Sequence, residues 1–184
     1  MPKLYTKRGD DGTTGLLFGG RISKSDPRTE AYGMIDQAVS TMGLARALSN
    51  SDHVKEILIK VQKDLFAVGS ELATDISNRH HLKKRVGIVT PEMVVALEEL
   101  IDEINKQVKL PPAFIIPGGS PASAALDLAR STLRTSERRV VTLNEAGKLG
   151  NPEMLRYLNR TSDLLFILAR LEDKDIPYEL TKEN

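Results

Sequence analysis

SPASAALDLARSTLRTSERRVVTL, residues 120–143, decides the fold. Ser120 is a capping type, and Pro121 follows where a first helical residue belongs. Proline there loses no hydrogen bond, and its fixed φ suits the helix. At 100° per residue, Ala122, Leu126, Ala129, Leu133 and Val140 share one stripe, which Leu143 continues. Asp127, Arg130, Arg134, Glu137 and Arg138 fall in a second arc of roughly 100° that flanks the stripe. The three arginines climb that arc at i, i+4 and i+8. A solvated face laced with Arg–Glu pairs is the plain reading. The chemical reading is an anion ladder, because the planar arginine fork suits phosphate and carboxylate.

The cap-plus-proline signal recurs at Asp26-Pro27, Thr90-Pro91 and Asn151-Pro152. Helical apolar spacing follows each: Ala31, Ile35, Ala38, Met42 and Ala45; Val94, Leu97, Ile101, Ile104 and Val108; Leu155, Leu158, Leu165, Leu168 and Leu171. A further helix, without the proline, starts near Ser51 or Asp52 and runs from Val54 to Leu72. A helix of about 22 residues spans roughly 33 Å. Five such helices with short connections predict an all-α five-helix bundle. The chain reads as one domain, 1–184. It has an arm over 1–25, a bundle over 26–172, and a charged tail over 173–184 that is expected to fray. Residues 76–89 read as a polar, basic loop, and 110–121 as a proline-rich connector holding the apolar run AFII.

Composition narrows the class. The 184 residues can bury a core unaided, and hydrophobic residues make up 40%. Aromatics are only 4%, so that core must be aliphatic. Net charge is +1, short of the basic excess of a dedicated nucleic-acid binder. There is no cysteine, hence no disulfide, thiolate metal site or thiol nucleophile. Neither a signal-like start nor a run of about 18 apolar residues occurs. A soluble cytoplasmic protein is expected.

Against this helical background the opening YTKRGDDGTTGLLFGGRISK, residues 5–24, stands apart. Gly9, Gly12, Gly15, Gly19 and Gly20 alternate with Lys7, Arg8, Arg21 and Lys24, and with the hydroxyls of Thr6, Thr13 and Thr14. Glycines let backbone approach a ligand, and successive N–H groups can form an anion nest. The pattern is neither a Walker A loop nor a Rossmann fingerprint. A flexible tail or surface hairpin is the plain alternative.

Other positions leave a choice. Asp36 lies at the shoulder of the first helix, either as a surface carboxylate or as the ion-pair partner of an arginine from another helix. Asn159 and Asp163 stand one turn apart in an apolar helix, where an interhelical hydrogen bond is the simpler role. Phe114 is a core plug or a ligand contact. His80 and His81 are adjacent, share no face, and make a poor zinc site.

YTKRGDDGTTGL, GGRISK, EAYGMID, FIIPGGSPASAALDLAR, SERRVV and YLNRTSDLLFILAR occur in this order. Together they resemble the ATP:cob(I)alamin adenosyltransferases of the propanediol-utilisation type, over about residues 3 to 172. The resemblance implies a homotrimer with active sites between subunits. It implies transfer of the 5′-deoxyadenosyl group of ATP to the Co(I) of a reduced corrinoid, with release of triphosphate. By the same resemblance Thr6, Arg8, Gly9 and Asp10 of the arm bind nucleotide. Lys24 and Arg28 help hold it, and Arg134, Glu137, Arg138 and Asn159 reach it from the helices. Asp36 and Arg130 form a salt bridge on the corrinoid side, and Phe114 lies on the lower face of the corrin. Co(I) is itself the nucleophile, so the protein's work is alignment of C5′ and stabilisation of the departing triphosphate by arginine, lysine and Mg²⁺. The Mg²⁺ ligands are left unassigned. A corrinoid reductase and an adenosylcobalamin-dependent enzyme are the implied partners, with no nucleic acid and no membrane.

Four positions depart from the family pattern: Gln37 where Glu is usual, Asp127 where His is usual, and Thr135-Ser136 where Arg-Ala is usual. Asp127 is placed to compete with Asp36 for Arg130. Two other classes stay open: a non-catalytic ATP or corrinoid carrier that delivers cofactor to a dependent enzyme, and a plain helical oligomerisation module.

Overall fold

The computed structural model describes residues 4–82 and 87–181. The basic centre of the 76–89 loop and both chain ends lie outside the described residues. Five α-helices make the bundle: α1 (Pro27–Leu48), α2 (Asp52–Leu72), α3 (Pro91–Asn105), α4 (Pro121–Glu145) and α5 (Glu153–Glu172). A short 3-10 helix, Ile76–His81, adds a turn where a loop is expected.

The caps explain the starts. Asp26 accepts from the Arg28 N–H, and Ser51 from Val54. Ser120 and Ser123 form a reciprocal capping box at α4. Thr90 makes no side-chain cap bond. At Asn151-Pro152 the helix begins one residue later than the signal suggests, at Glu153. Asn151 is buried, and its Nδ2 is committed to both Glu71 carboxylate oxygens (3.1 and 3.0 Å) and to the Val89 carbonyl (3.0 Å). Its Oδ1 still accepts from the Glu153 N–H at 3.3 Å.

α1 packs along α4, α4 along α5, α1 also on α2, and α3 on α5. The shared core is aliphatic, as the scarcity of aromatics requires, with Tyr157 as its one large aromatic among the described residues. Tyr157 donates to Asp64 Oδ2 at 2.9 Å, and burial, with Asp64 beside it, pushes its phenol well above the ordinary range. Ser136 also earns its place in the interior: its Oγ donates 2.8 Å to the Met34 carbonyl and locks α4 onto α1.

The arm is a hairpin, adding a small sheet to the all-helical expectation. Thr13–Gly15 (β1) pairs antiparallel with Arg21–Ser23 (β2). Gly19 and Gly20 take positive φ at the turn, a region closed to most side chains. The hairpin tip docks on the end of α2: the Leu17 N–H donates 2.8 Å to the Ala73 carbonyl, and Phe18 packs 5.3 Å from the His81 ring.

The described part of the tail does not fray. The Ile116 N–H donates to the Glu179 carbonyl at 2.8 Å, and the Thr181 N–H to the Phe114 carbonyl at 3.0 Å. The tail thus straps the connector that carries Phe114. Gly119 permits this closure, since a Cβ there would stand 2.5 Å from the Asp173 Oδ2 atom.

Candidate active site

Two cationic groups face outward, one on the arm and one on α4. In the arm, Lys24 Nζ donates 2.7 Å to the Gly9 carbonyl, and Arg21 donates to Thr13 Oγ1 and to the Arg8 carbonyl. These bonds fix the loop that holds Thr6, Arg8, Gly9 and Asp10. Thr6 Oγ1 accepts from the Arg8 N–H at 3.5 Å. The Arg8 guanidinium has no partner among the described residues. Asp11 is held below the usual carboxylate range by the Thr13 hydroxyl and N–H, with Arg21 adding a smaller share. Arg21 was a cation of the strip without an assigned role; the hairpin makes it the clasp.

On α4, Arg134 is exposed and makes no side-chain hydrogen bond or ion pair among the described residues. Arg138 reaches back to the Thr135 hydroxyl at 2.8 Å. Glu137 accepts from Asn159 Nδ2 at 3.3 Å, an interhelical bond from α5. Asn159 Oδ1 in turn accepts from Arg160 at 2.7 Å, and Arg160 pairs with Glu98 of α3 at 2.8 Å. Sequence reading missed Arg160; its signal was only an arginine next to Asn159. Arg134, Glu137, Arg138 and Asn159 therefore share one surface. No hydrogen bond or ion pair among the described residues joins that surface to the arm loop of the same chain.

Arg28 is placed apart from the other expected nucleotide contacts. It is only 8% exposed, and its guanidinium donates to the carbonyls of Leu72 (2.9 Å), Thr74 (3.1 Å) and Lys148 (3.0 Å). Those bonds bind the root of the arm to the end of α2 and to the α4–α5 turn. A side chain so committed ties these elements together.

Asp36 is exposed on the wall of a cleft of about 370 Å³ between α1 and α2, with Tyr32, Val39, Phe66 and the arm's Leu17. Phe66 is 61% exposed there. Within one chain Asp36 does not meet Arg130. Arg130 Nε instead donates to Asp127 Oδ1 at 3.1 Å. Asp127, expected on the flank of the helix, is buried, and its other oxygen accepts from the buried Arg170. Phe114 is no core plug: it is 83% exposed. No group of three or more acidic or histidine residues able to hold a metal occurs among the described residues.

Comparison with known proteins identifies the family. The cobalamin adenosyltransferase family profile matches residues 4–172. A corrinoid adenosyltransferase of Citrobacter freundii is 41% identical, over 94% of this chain and 96% of that protein. One from Bacillus subtilis is 40% identical, over 96% and 92% respectively. The solved structure of a variant PduO-type ATP:corrinoid adenosyltransferase from Lactobacillus reuteri, complexed with cobalamin and ATP, superposes with a TM-score of 0.90. It is 33% identical, over 98% of this chain and all of that one. The chain belongs to the cobalamin adenosyltransferase family.

Proposed function

We propose that this protein transfers the 5′-deoxyadenosyl group of ATP to the Co(I) of a reduced corrinoid, at a site completed by two protomers of a homotrimer. One observation carries the two-protomer reading. The arm loop and the α4–α5 surface each hold outward cations, yet no hydrogen bond or ion pair among the described residues joins the two within one chain. A second copy bringing its arm to that surface would gather Arg8, Lys24, Arg134 and Arg138 around one triphosphate.

The reaction needs no protein nucleophile. The cobalt lone pair attacks C5′, the C5′–O bond breaks, and its electron pair leaves with the triphosphate. Negative charge then concentrates on the departing oxygen, where preorganised guanidinium groups lower the barrier. Arg134 is the strongest candidate, since its donors are not spent on the fold. Arg160 holds Asn159, which in turn holds Glu137, a serial bracing that suits recognition of the nucleoside end. Phe114, exposed and strapped from behind, suits an apolar contact with the lower face of the corrin. Such a wedge excludes a lower ligand and eases reduction to Co(I).

The protein offers no metal cage among its described residues. Mg²⁺ therefore fits best as an ion carried by the triphosphate and water, the usual habit of a cation that dehydrates reluctantly. No helix among the described residues is long and apolar enough to cross a membrane. A cytoplasmic setting, a corrinoid reductase upstream and an adenosylcobalamin-dependent enzyme downstream complete the reading.

The test is direct. The protein is mixed with ATP, Mg²⁺ and chemically reduced cobalamin, and the spectrum is followed to the cobalt–carbon product. Turnover supports the transfer. Binding without turnover would favour the carrier alternative, which the names of the relatives do not support.

A further inference from the structure

Asp127 sits where the family pattern has His, and the structure gives its carboxylate two tasks. Oδ2 accepts from Arg170, which is 1% exposed on α5 and lies 5.3 Å over the Phe166 ring. Oδ1 accepts from Arg130 Nε at 3.1 Å. The first bond pins the carboxylate, because both of its partners are buried and neither can turn to water. The second bond then fixes the guanidinium plane of Arg130, which is only partly buried.

The choice of nitrogen matters. A guanidinium has five N–H donors, and the bond to Asp127 takes the one on Nε. The terminal fork of Arg130 has no hydrogen-bond partner among the described residues. Asp127 therefore does not use up Arg130 in competition with Asp36. It orients Arg130 and leaves the terminal fork, partnerless among the described residues, free to take a second acceptor. An unpinned arginine has several rotatable bonds to freeze on binding, and each ordered side chain costs affinity.

We propose that Asp127 is a positioning residue that presets the Arg130 fork for the corrinoid side of the site. This rests on the reading of Arg130 as a corrinoid-side group. The relay runs Arg170–Asp127–Arg130, so a buried cation on the last helix sets the aim of a half-buried one on α4.

The test compares Asp127→Asn, the double variant Asp127→Asn/Arg170→Met, and Arg130→Gln. Each is measured for KM towards corrinoid and towards ATP, and for Tm. Asp127→Asn strands the Arg170 charge and should lower Tm; the double variant removes that charge and should recover it. Both should raise the corrinoid KM roughly tenfold, the scale of losing one charge-assisted bond, with the ATP KM within about twofold. A double variant with recovered Tm and an unchanged corrinoid KM would reduce Asp127 to a structural role. So would a parallel rise in both KM values. Arg130→Gln separates the two layers. If it leaves the corrinoid KM unchanged, the reading of Arg130 fails and the proposal with it. If it raises that KM while the double variant does not, only the positioning role fails. Side-chain ¹⁵N relaxation on the ligand-free wild-type protein needs no substitution at Asp127. It should find the Arg130 Nε–H ordered, and a signal as mobile as that of Arg134 would overturn the proposal.

Discussion

The root of the arm and the outer surface of α4 use the same side chain in opposite ways. At the root, Arg28 is buried and spends its guanidinium on three carbonyls from two distant parts of the chain. On α4, Arg134 stands in solvent with no partner among the described residues. The family resemblance treats the two alike, as basic residues that reach ATP. Structure separates them by asking where the donors go. A guanidinium whose donors are consumed internally is architecture; one held in place by its helix with donors unspent is available to a ligand.

That contrast can be broken by substitution. The largest effect is expected at Arg134→Ala, which should cost a hundredfold or more in kcat, about 3 kcal/mol of transition-state stabilisation. Its Tm and oligomeric state should be unchanged, as checked by calorimetry and light scattering. Loss of assembly would move Arg134 to the architectural side. Arg28→Ala should do the reverse. Carbonyls of the α2 end and the α4–α5 turn lose a charged donor, and folding stability should fall by about 2–3 kcal/mol in denaturant titration. A variant as stable as wild type but unable to bind ATP would restore Arg28 to the nucleotide site.

Smaller effects sharpen the picture at the edges. Gly119→Ala puts a methyl 2.5 Å from the Asp173 carboxylate and should loosen the tail from the connector, at a cost of about 1–2 kcal/mol. Hydrogen exchange at Ile116 and Thr181 reads that loosening; unchanged protection would contradict the strap. The smallest effect concerns the arm. The Asp11 carboxyl is depressed in the folded hairpin, first by the Thr13 hydroxyl. Its contribution is therefore present above the ordinary carboxylate range and is lost as pH falls through the depressed value. Thr13→Val should raise the Asp11 midpoint in an NMR titration, and hairpin signals should shift at a higher pH than in wild type. Coincident titration curves would show that the Thr13 hydroxyl does not hold the charge.

The helices were legible because their signals are local. Asp26-Pro27 and Ser120-Pro121 cap what they announce, and the apolar stripes of α1, α2 and α4 are buried as spaced. Most misreadings involve partners far away in sequence. Asn151 points to a helix start, yet the pull of Glu71 and Val89 leaves Glu153 as the first helical residue. The tail looks frayed because its strand partner lies more than sixty residues earlier, in a connector with no strand pattern of its own. Asp127 looks like a flank residue until Arg170 from α5 is seen beneath it. Arg28 shows the same limit, since no local pattern says that three carbonyls will converge on one side chain. The composition of the candidate site was legible, and the commitment of each donor was not.

The most direct measurement is subunit complementation. Arg8→Ala and Arg134→Ala protomers, each inactive alone, are co-expressed with different tags, and the mixed oligomer is isolated and assayed. If arm and ladder come from neighbouring copies, each mixed trimer should regain one intact boundary in three, roughly a third of the wild-type sites. Mixed oligomers that stay as inactive as either parent would mean that both cations serve one site within one chain, contrary to this account.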